Sequence, residues 1–473
     1  MIELGLQRIS RLLAKNAFPW RAIHVAGTNG KGSICAYISA MLEASNNSEW
    51  RLRHGRKGSP LKHARFTSPH LVDRWDCISI NQQVVPFSSF DKVEKDVLTR
   101  NEKEGIGASE FEVLTATAFE LFAQEQVDVA VVEVGMGGRL DATNVIGQSE
   151  GLNMPDGYDI ETFRPAPLVT PISSIGLDHQ AFLGNTLEDI TREKAGIIKP
   201  GVPVVYDDSN PSQVTDVLQA VASERGSPIV DRNRLPRLSK PKITSIVSRL
   251  NSIPSQHTKQ NATVAFLAAW TALLHPQLIG TDLTNGDGEG MLPEHFLGDL
   301  ADDMLDVISI TTFPGRQQML SIESLTGRRA DILLDGAHNA QSANALASAV
   351  SLLRKESTED KDQKSITWVL AASDTKDAKE ILSPLLKDGD AIFAVEFGPV
   401  DGMPWVRPLP ASQLLEAAKA VVCSPGSLTV QDCGRDVAGA LRAACINSSG
   451  GQMVVAGSLY LVGDVLRLLR GAR

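Results

Sequence analysis

Two kinds of apolar pattern alternate along the chain. Short continuous runs such as "RAIHVAG" (21–27) and "VDVAVVEVG" (127–135) lack the in-out alternation of a sheet with one wet face. They read as strands covered on both sides, as in a parallel sheet. Between them, "SICAYISAMLEAS" (33–45) and "FEVLTATAFELFAQEQ" (111–126) repeat their apolar residues at helical spacing. "PLVTPISSIGLD" (167–178) predicts a further strand, followed by the helix "TLEDITREKAGII" (186–198). Alternation of this kind predicts an α/β domain with a mainly parallel sheet.

A second series begins after about residue 308. Its strands are "ADILLDGAH", "SITWVLAAS", "DAIFAVEF" and "GQMVVAGS", separated by helices such as "NAQSANALASAVSLLRKE". The expectation is therefore a domain over 1–308 and a smaller, Rossmann-like α/β domain over 309–473. Three polar or Gly/Pro-rich stretches, 45–64, 147–168 and 276–304, interrupt the pattern and read as surface insertions. The start, "MIELGLQRISRLLAKNAF", has helical spacing and several cations; Glu3 favours a native first helix over a mitochondrial presequence.

Composition narrows the function classes. With 473 residues and 42% apolar content, the chain can build more than one core. A net charge of −10 argues against a general nucleic-acid binder, which needs a broad basic surface. An anionic small substrate needs only a local cluster of cations. The five cysteines lack paired spacing and read as reduced thiols of a cytosolic protein. No run reaches the roughly 18 apolar residues of a membrane span.

The chemistry concentrates at strand ends. "HVAGTNGKGS" (24–33) follows one predicted strand and opens a helix, the context of a phosphate loop. Gly27, Gly30 and Gly32 let backbone N–H groups close around phosphate oxygens, Lys31 adds a cation, and Thr28, Asn29 and Ser33 complete the loop. Gly32, however, stands where such loops carry the hydroxyl that holds magnesium. Glu133, at the carboxyl end of a buried strand, has the position and the oxygen chemistry of a metal ligand. "FTSPHL" (66–71) offers Ser68, and "GLDHQ" (176–180) offers Asp178 and His179. In the second series, "FPGR" supplies Arg316, and "LLDGAHNAQS" places Asp335 and His338 at a strand-to-helix turn.

These segments, taken in order with "SEFEVLTATAF", "REKAGIIK", "QHTKQNA", "TKD" and the terminal "GSLYLVGDV", resemble the folate branch of the Mur ligase family. That branch comprises dihydrofolate synthases and folylpolyglutamate synthases, and the likeness spans nearly the whole chain. The resemblance implies an ATP-binding domain followed by a smaller ligase domain. It implies magnesium held away from the phosphate loop, by residues matching Ser68, Glu133 and His179. Lys194 matches an active-site lysine that is often carbamylated, so it joins the implied metal set, and a monovalent cation is a further expectation. Asn261 and Arg316 are implied nucleotide contacts, and Asp335 and His338 are implied to reach the ATP end. Lys31, Glu133, His179 and Lys194 are the residues expected to carry the reaction.

The reaction implied is ATP-dependent amide formation between a folate-type carboxylate and L-glutamate, by a monomer in the cytosol or mitochondria with no nucleic-acid or membrane partner. Two acceptors compete, dihydropteroate and a reduced folate. Tail-extending enzymes carry "GTKGKGS" and an arginine-rich "RERI"; here Asn29 and "RWDCISIN" (74–81) stand instead. Loss of those cations, together with "SEFE" in place of "FFE", favours dihydropteroate. Folylpolyglutamate synthesis or a bifunctional enzyme is the runner-up. A nucleotide-binding regulator without chemistry is the alternative of a different class, opposed by the presence of Lys31, Glu133, His179 and Lys194.

Overall fold

The computed structural model describes residues 4–14, 16–47, 60–148, 164–279, 294–355 and 365–471. Two compact units divide them: 4–70 with 75–311, and 71–74 with 312–471. The short segment 71–74 is thus part of the second unit although its flanks belong to the first.

In the first unit, β1 (Arg21–Val25), β2 (His63–Phe66), β3 (Ile78–Ile80), β4 (Gln83–Val84) and β5 (Val129–Glu133) form one sheet in the order β1-β5-β2-β3-β4. The β1, β5 and β2 strands run parallel, and β3 and β4 are antiparallel additions at one edge. At the other edge, β6 (Thr170–Ile172) and β7 (Val204–Tyr206) pair in parallel, and β6 touches β1 through bridges at Ile23 and Ala26. Every residue of β5 is buried, as its unbroken apolar run predicts.

Helices cover both faces. Lys31–Asn47 and Gln256–Leu273 share one apolar cluster with Ile23, Val25, Val129 and Val131. On the other face Glu110–Gln124 packs Phe119 and Phe122 against Trp20 and Phe18. The expected first helix forms at Gln7–Leu12 and contributes Ile9 and Leu12 to this second cluster.

One expectation needs correction. Of the stretch 276–304, residues 280–293 lie outside the described residues, but Glu294–Asp306 is a helix whose Leu297, Leu300, Ala301 and Met304 are buried in the first cluster. Apolar residues at three- and four-residue spacing make that end of the stretch core rather than surface insertion. The other two stretches, 45–64 and 147–168, fall largely outside the described residues. Their described ends include the last turn of Lys31–Asn47 and the start of β2.

The second unit holds one six-stranded sheet. Its members are β8 (Gln318–Leu320), β9 (Ile332–Leu334), β10 (Thr367–Leu370), β11 (Ala391–Ala394), β12 (Thr429–Asp432) and β13 (Met453–Ala456), in the order β12-β11-β10-β13-β9-β8. All neighbours are parallel except the edge strand β8. All five cysteines lie in the described residues and are free thiols.

Candidate active site

Parallel pairing sets Val25 opposite Glu133 and Phe66 opposite Val132, so three loops leave the sheet side by side at its carboxyl edge. The loop after β1 needs its glycines for two separate reasons. Gly27 (φ +139°) and Gly30 (φ +89°) adopt backbone angles that side chains disfavour. A β-carbon on Gly27 would also fall 1.8 Å from Ser173 Oγ, and one on Gly30 2.2 Å from Asn261 Oδ1. The loop is pinned from beneath by Ser174, whose carbonyl accepts from the N–H groups of Thr28 (2.8 Å) and Asn29 (3.3 Å). Thr28 Oγ1 donates to the Gly176 carbonyl and accepts from the Gly176 N–H, each at 3.1 Å.

Lys31, Gly32 and Ser33 form the first turn of the helix Lys31–Asn47, which has no acidic residue there to offset its positive end. Lys31 Nζ donates to the Thr28 carbonyl (3.1 Å) and lies 4.0 Å from Glu133 Oε1. The second Glu133 oxygen, Oε2, accepts from the Ser68 N–H at 3.1 Å. One carboxylate therefore joins the phosphate-type loop to the "FTSPHL" loop. Among the described residues no three His, Cys, Asp or Glu side chains gather as a metal-binding group. A carboxylate beside a serine suits a magnesium ion, which takes oxygen ligands and keeps several of its waters.

Lys194 is buried in the helix Leu187–Ala195 and donates to the Gly27 carbonyl at 2.8 Å. Burial, reinforced by the neighbouring Lys31 charge, lowers its pKa from 10.5 to about 7, while Asp178 and Asp141 oppose the shift. Asp178 thus lies on this same edge. Its neighbour His179 is left-handed (φ 52°), leads the short helix Gln180–Leu183, and donates its N–H to Asp178 Oδ1 at 2.8 Å. Asn261, in the helix Gln256–Leu273, holds His257 Nε2 at 3.1 Å and faces Gly30.

Arg316, Asp335 and His338 form a group of their own in the second unit. Asp335 directly follows β9 and accepts from the N–H groups of Gln317 and Ala337, each at 2.8 Å. Burial raises its pKa, and the Arg316 charge opposes that rise. His338 Nδ1 lies 2.8 Å from the Gly336 carbonyl.

Residue reading alone missed several members. Ser173 and Ser174 shape the underside of the glycine loop, and the only hint was their position at the end of the strand "PLVTPIS". Arg65 on β2 is half-buried; burial pushes its pKa down, and the nearby Glu133 charge is among the influences that oppose the shift. No motif signalled it. "SEFE" is first of all a helix start: Ser109 and Glu112 make a capping box, and Glu112 also pairs with Arg8 at 2.9 Å. Trp75 packs against Phe87 in a tilted arrangement with centroids 4.7 Å apart, and Cys77 is buried, so in "RWDCISIN" these positions serve the core.

Comparison with known proteins decides the family. Residues 318–468 match the family described as the dihydrofolate synthetase C-terminal domain. The chain is 36% identical to the probable dihydrofolate synthetase of Schizosaccharomyces pombe, over 99% of each chain. It is 31% identical to the dihydrofolate synthetase of Saccharomyces cerevisiae, over 99% of this chain and 98% of that one. The chain belongs to the dihydrofolate synthetase family.

As a member of the dihydrofolate synthetase family it is an amino-acid ligase of folate synthesis, which sets aside the regulator reading. The fold agrees with solved relatives. The structure described as "E.coli FolC in complex with DHPP and ADP" superposes with a TM-score of 0.67 at 24% identity, covering 99% of this chain and 94% of that one. A Yersinia pestis bifunctional folylpolyglutamate synthase/dihydrofolate synthase, complexed with AMPPNP and Mn ion, superposes with a TM-score of 0.64 at 24% identity, covering 99% and 94%.

Proposed function

We propose that this enzyme joins L-glutamate to dihydropteroate, using ATP and magnesium, and so makes dihydrofolate. The observation that carries the reading is the Lys31–Glu133–Ser68 group, in which one carboxylate joins the glycine loop to "FTSPHL". The choice of acceptor is supported by the relatives aligned over the whole chain, both dihydrofolate synthetases. The human mitochondrial folylpolyglutamate synthase, by contrast, aligns over 73% of this chain and 53% of its own length.

The glycine-loop amides and Lys31 bind the ATP phosphates and stabilise charge on the transferred phosphoryl group. Ser68, Glu133 and His179 would hold the magnesium ion, joined by Lys194 if that lysine carries a carbamate. The ion supplies Lewis-acid stabilisation of phosphate charge. Asn261 and Arg316 contact the nucleotide, with Asp335 and His338 toward the ATP end of the site. The acceptor carboxylate attacks the γ-phosphorus, forming an acyl phosphate and releasing ADP. The glutamate amine then attacks the acyl carbon, loses a proton and expels phosphate, leaving the amide. Water would hydrolyse the acyl phosphate, so exclusion of water is part of the requirement.

The same reading has a monomer acting on small molecules in the cytosol, without nucleic-acid or membrane partners. Among the described residues no helix is long and apolar enough to cross a membrane.

Two measurements test the proposal. Glutamate-dependent phosphate release is followed with dihydropteroate in one reaction and tetrahydrofolate in another, with mass analysis of products. Turnover confined to dihydropteroate is expected; turnover confined to tetrahydrofolate makes the protein a tail-extending enzyme. Glu133→Ala is expected to lower magnesium-dependent turnover by about a hundredfold or more while the protein stays folded. Activity near wild type in that variant removes Glu133 from the mechanism.

A further inference from the structure

Within eight residues the chain leaves one unit and returns to it: Ser68 to His70 belong to the first, Leu71–Arg74 to the second, and Trp75 to the first again. The four residues are gripped by the helix Leu459–Gly471. Gly463 permits the close approach, since a β-carbon there would fall 2.1 Å from the Leu71 carbonyl oxygen. One turn further on, Arg467 donates from Nη2 to the Val72 carbonyl at 3.1 Å, and Arg470 pairs with Asp73 at 2.5 Å. Positions 463, 467 and 470 share one helix face. Asp464 steadies the grip, accepting from Arg467 Nη1 at 2.6 Å and from the Gly398 N–H at 2.8 Å.

The same helix is seated against the turns that carry Arg316 and Asp335. A β-carbon on Gly315 would fall 2.5 Å from Val462 Cγ1, and one on Gly336 would fall 2.3 Å from Leu459 Cδ2. Three glycines thus let a single helix pack closely on all three segments, through its backbone at Leu71 and through the Val462 and Leu459 side chains at Gly315 and Gly336. Ser68 lies three residues from Leu71, a tether of at most about 11 Å for extended chain.

We propose that the helix Leu459–Gly471 is a positioning element, and that Gly463 and Arg467 are positioning residues for the Ser68 loop. By holding Leu71–Arg74 on the body that carries Arg316 and Asp335, the helix restricts the conformations open to Thr67–His70. It thereby pre-orders Ser68 for the metal. This rests on the reading of Ser68 as a magnesium ligand, and the test separates the two claims.

Full-length Gly463→Ala, which drives a β-carbon into the Leu71 carbonyl, and Arg467→Met, which removes the donor without adding bulk, are compared with wild type and Ser68→Ala. Two quantities are read: hydrogen exchange of the amides in 66–74, and Mn2+ affinity in the presence of ADP by electron paramagnetic resonance. Both helix variants are expected to exchange faster in that segment and to bind Mn2+ about three- to tenfold more weakly. Unchanged exchange in folded variants overturns the grip. Faster exchange with unchanged Mn2+ affinity, while Ser68→Ala weakens Mn2+, overturns the positioning role. If Ser68→Ala leaves Mn2+ affinity unchanged, the ligand reading fails, and exchange alone decides the grip. Should Gly463→Ala not fold, the exposed pair serves instead: Arg470→Glu is expected to raise exchange, and adding Asp73→Arg to restore it.

Discussion

Lys194 sets its Nζ 2.8 Å from the carbonyl oxygen of Gly27, in surroundings that leave the lysine 3% exposed. The contact ties the helix Leu187–Ala195 to the backbone of the glycine loop. It also keeps the amine beside Lys31, where burial and like charge both disfavour its protonated form.

With its pKa lowered to about 7, Lys194 is in large part a neutral amine at physiological pH, the form that attacks carbon dioxide. Wild type supplied with 13C-bicarbonate is therefore expected to show a carbamate carbon signal that Lys194→Ala lacks. Lys194→Ala should lose about a hundredfold in turnover and recover part of it with short carboxylic acids. A missing signal together with near-normal turnover in the variant would remove Lys194 from the site chemistry.

Gly30 and Asn261 give a prediction about the loop itself. Gly30→Ala meets both a left-handed backbone and Asn261 Oδ1 at 2.2 Å, so nucleotide affinity should fall at least about tenfold. Adding Asn261→Gly relieves the collision but not the backbone strain. Thermal melting of the double variant should therefore recover only in part relative to Gly30→Ala, and full recovery would show that strain contributes little.

His24 makes stability pH-dependent. It is fully buried on β1, with Nε2 2.9 Å from Thr143 Oγ1, and Thr143 spends its own proton on Asp141. The imidazole is thus the neutral Nε2–H form. Burial, with a smaller contribution from the Lys199 charge, lowers its pKa to about 3. Between that value and the unfolded value of about 6.5, the unfolded chain binds the extra proton. Stability is accordingly lost as pH falls through this window, by up to about 1.4 kcal/mol per pH unit. Denaturant titration at pH 7 and pH 5 should show a smaller loss for His24→Gln than for wild type; equal losses would assign the acid sensitivity elsewhere.

In the second unit, Asp390 accepts from both Arg354 terminal nitrogens (2.8 and 2.7 Å), from Trp368 Nε1 (2.9 Å) and from the Ile366 N–H (2.8 Å), all of it buried. Asp390→Ala leaves a buried guanidinium without its carboxylate and should cost about 3–5 kcal/mol. Arg354→Met with Asp390→Leu removes both charges and should cost less than Asp390→Ala alone. The opposite order in denaturation experiments would contradict the account.

Local chemistry determined a good deal of this protein from sequence. Unbroken apolar runs such as "VDVAVVEVG" were legible as strands because a doubly covered strand has no face to leave polar, and Glu133 was legible at its exit for the same reason. The glycine loop was legible because Gly27 and Gly30 mark backbone angles that few other residues adopt. Tertiary structure decided what those residues meet. Ser68 is 65 positions from Glu133, and they touch only because β2 pairs with β5. Ser173 and Asn261 close on the loop from distant elements, and Leu71–Arg74 leaves its sequence neighbours for the helix Leu459–Gly471. The end of 276–304 was misread because core burial uses residue types that surface segments also use. Periodicity reports which face of an element is buried; it carries no information about which other element, among all those with a matching face, will cover it.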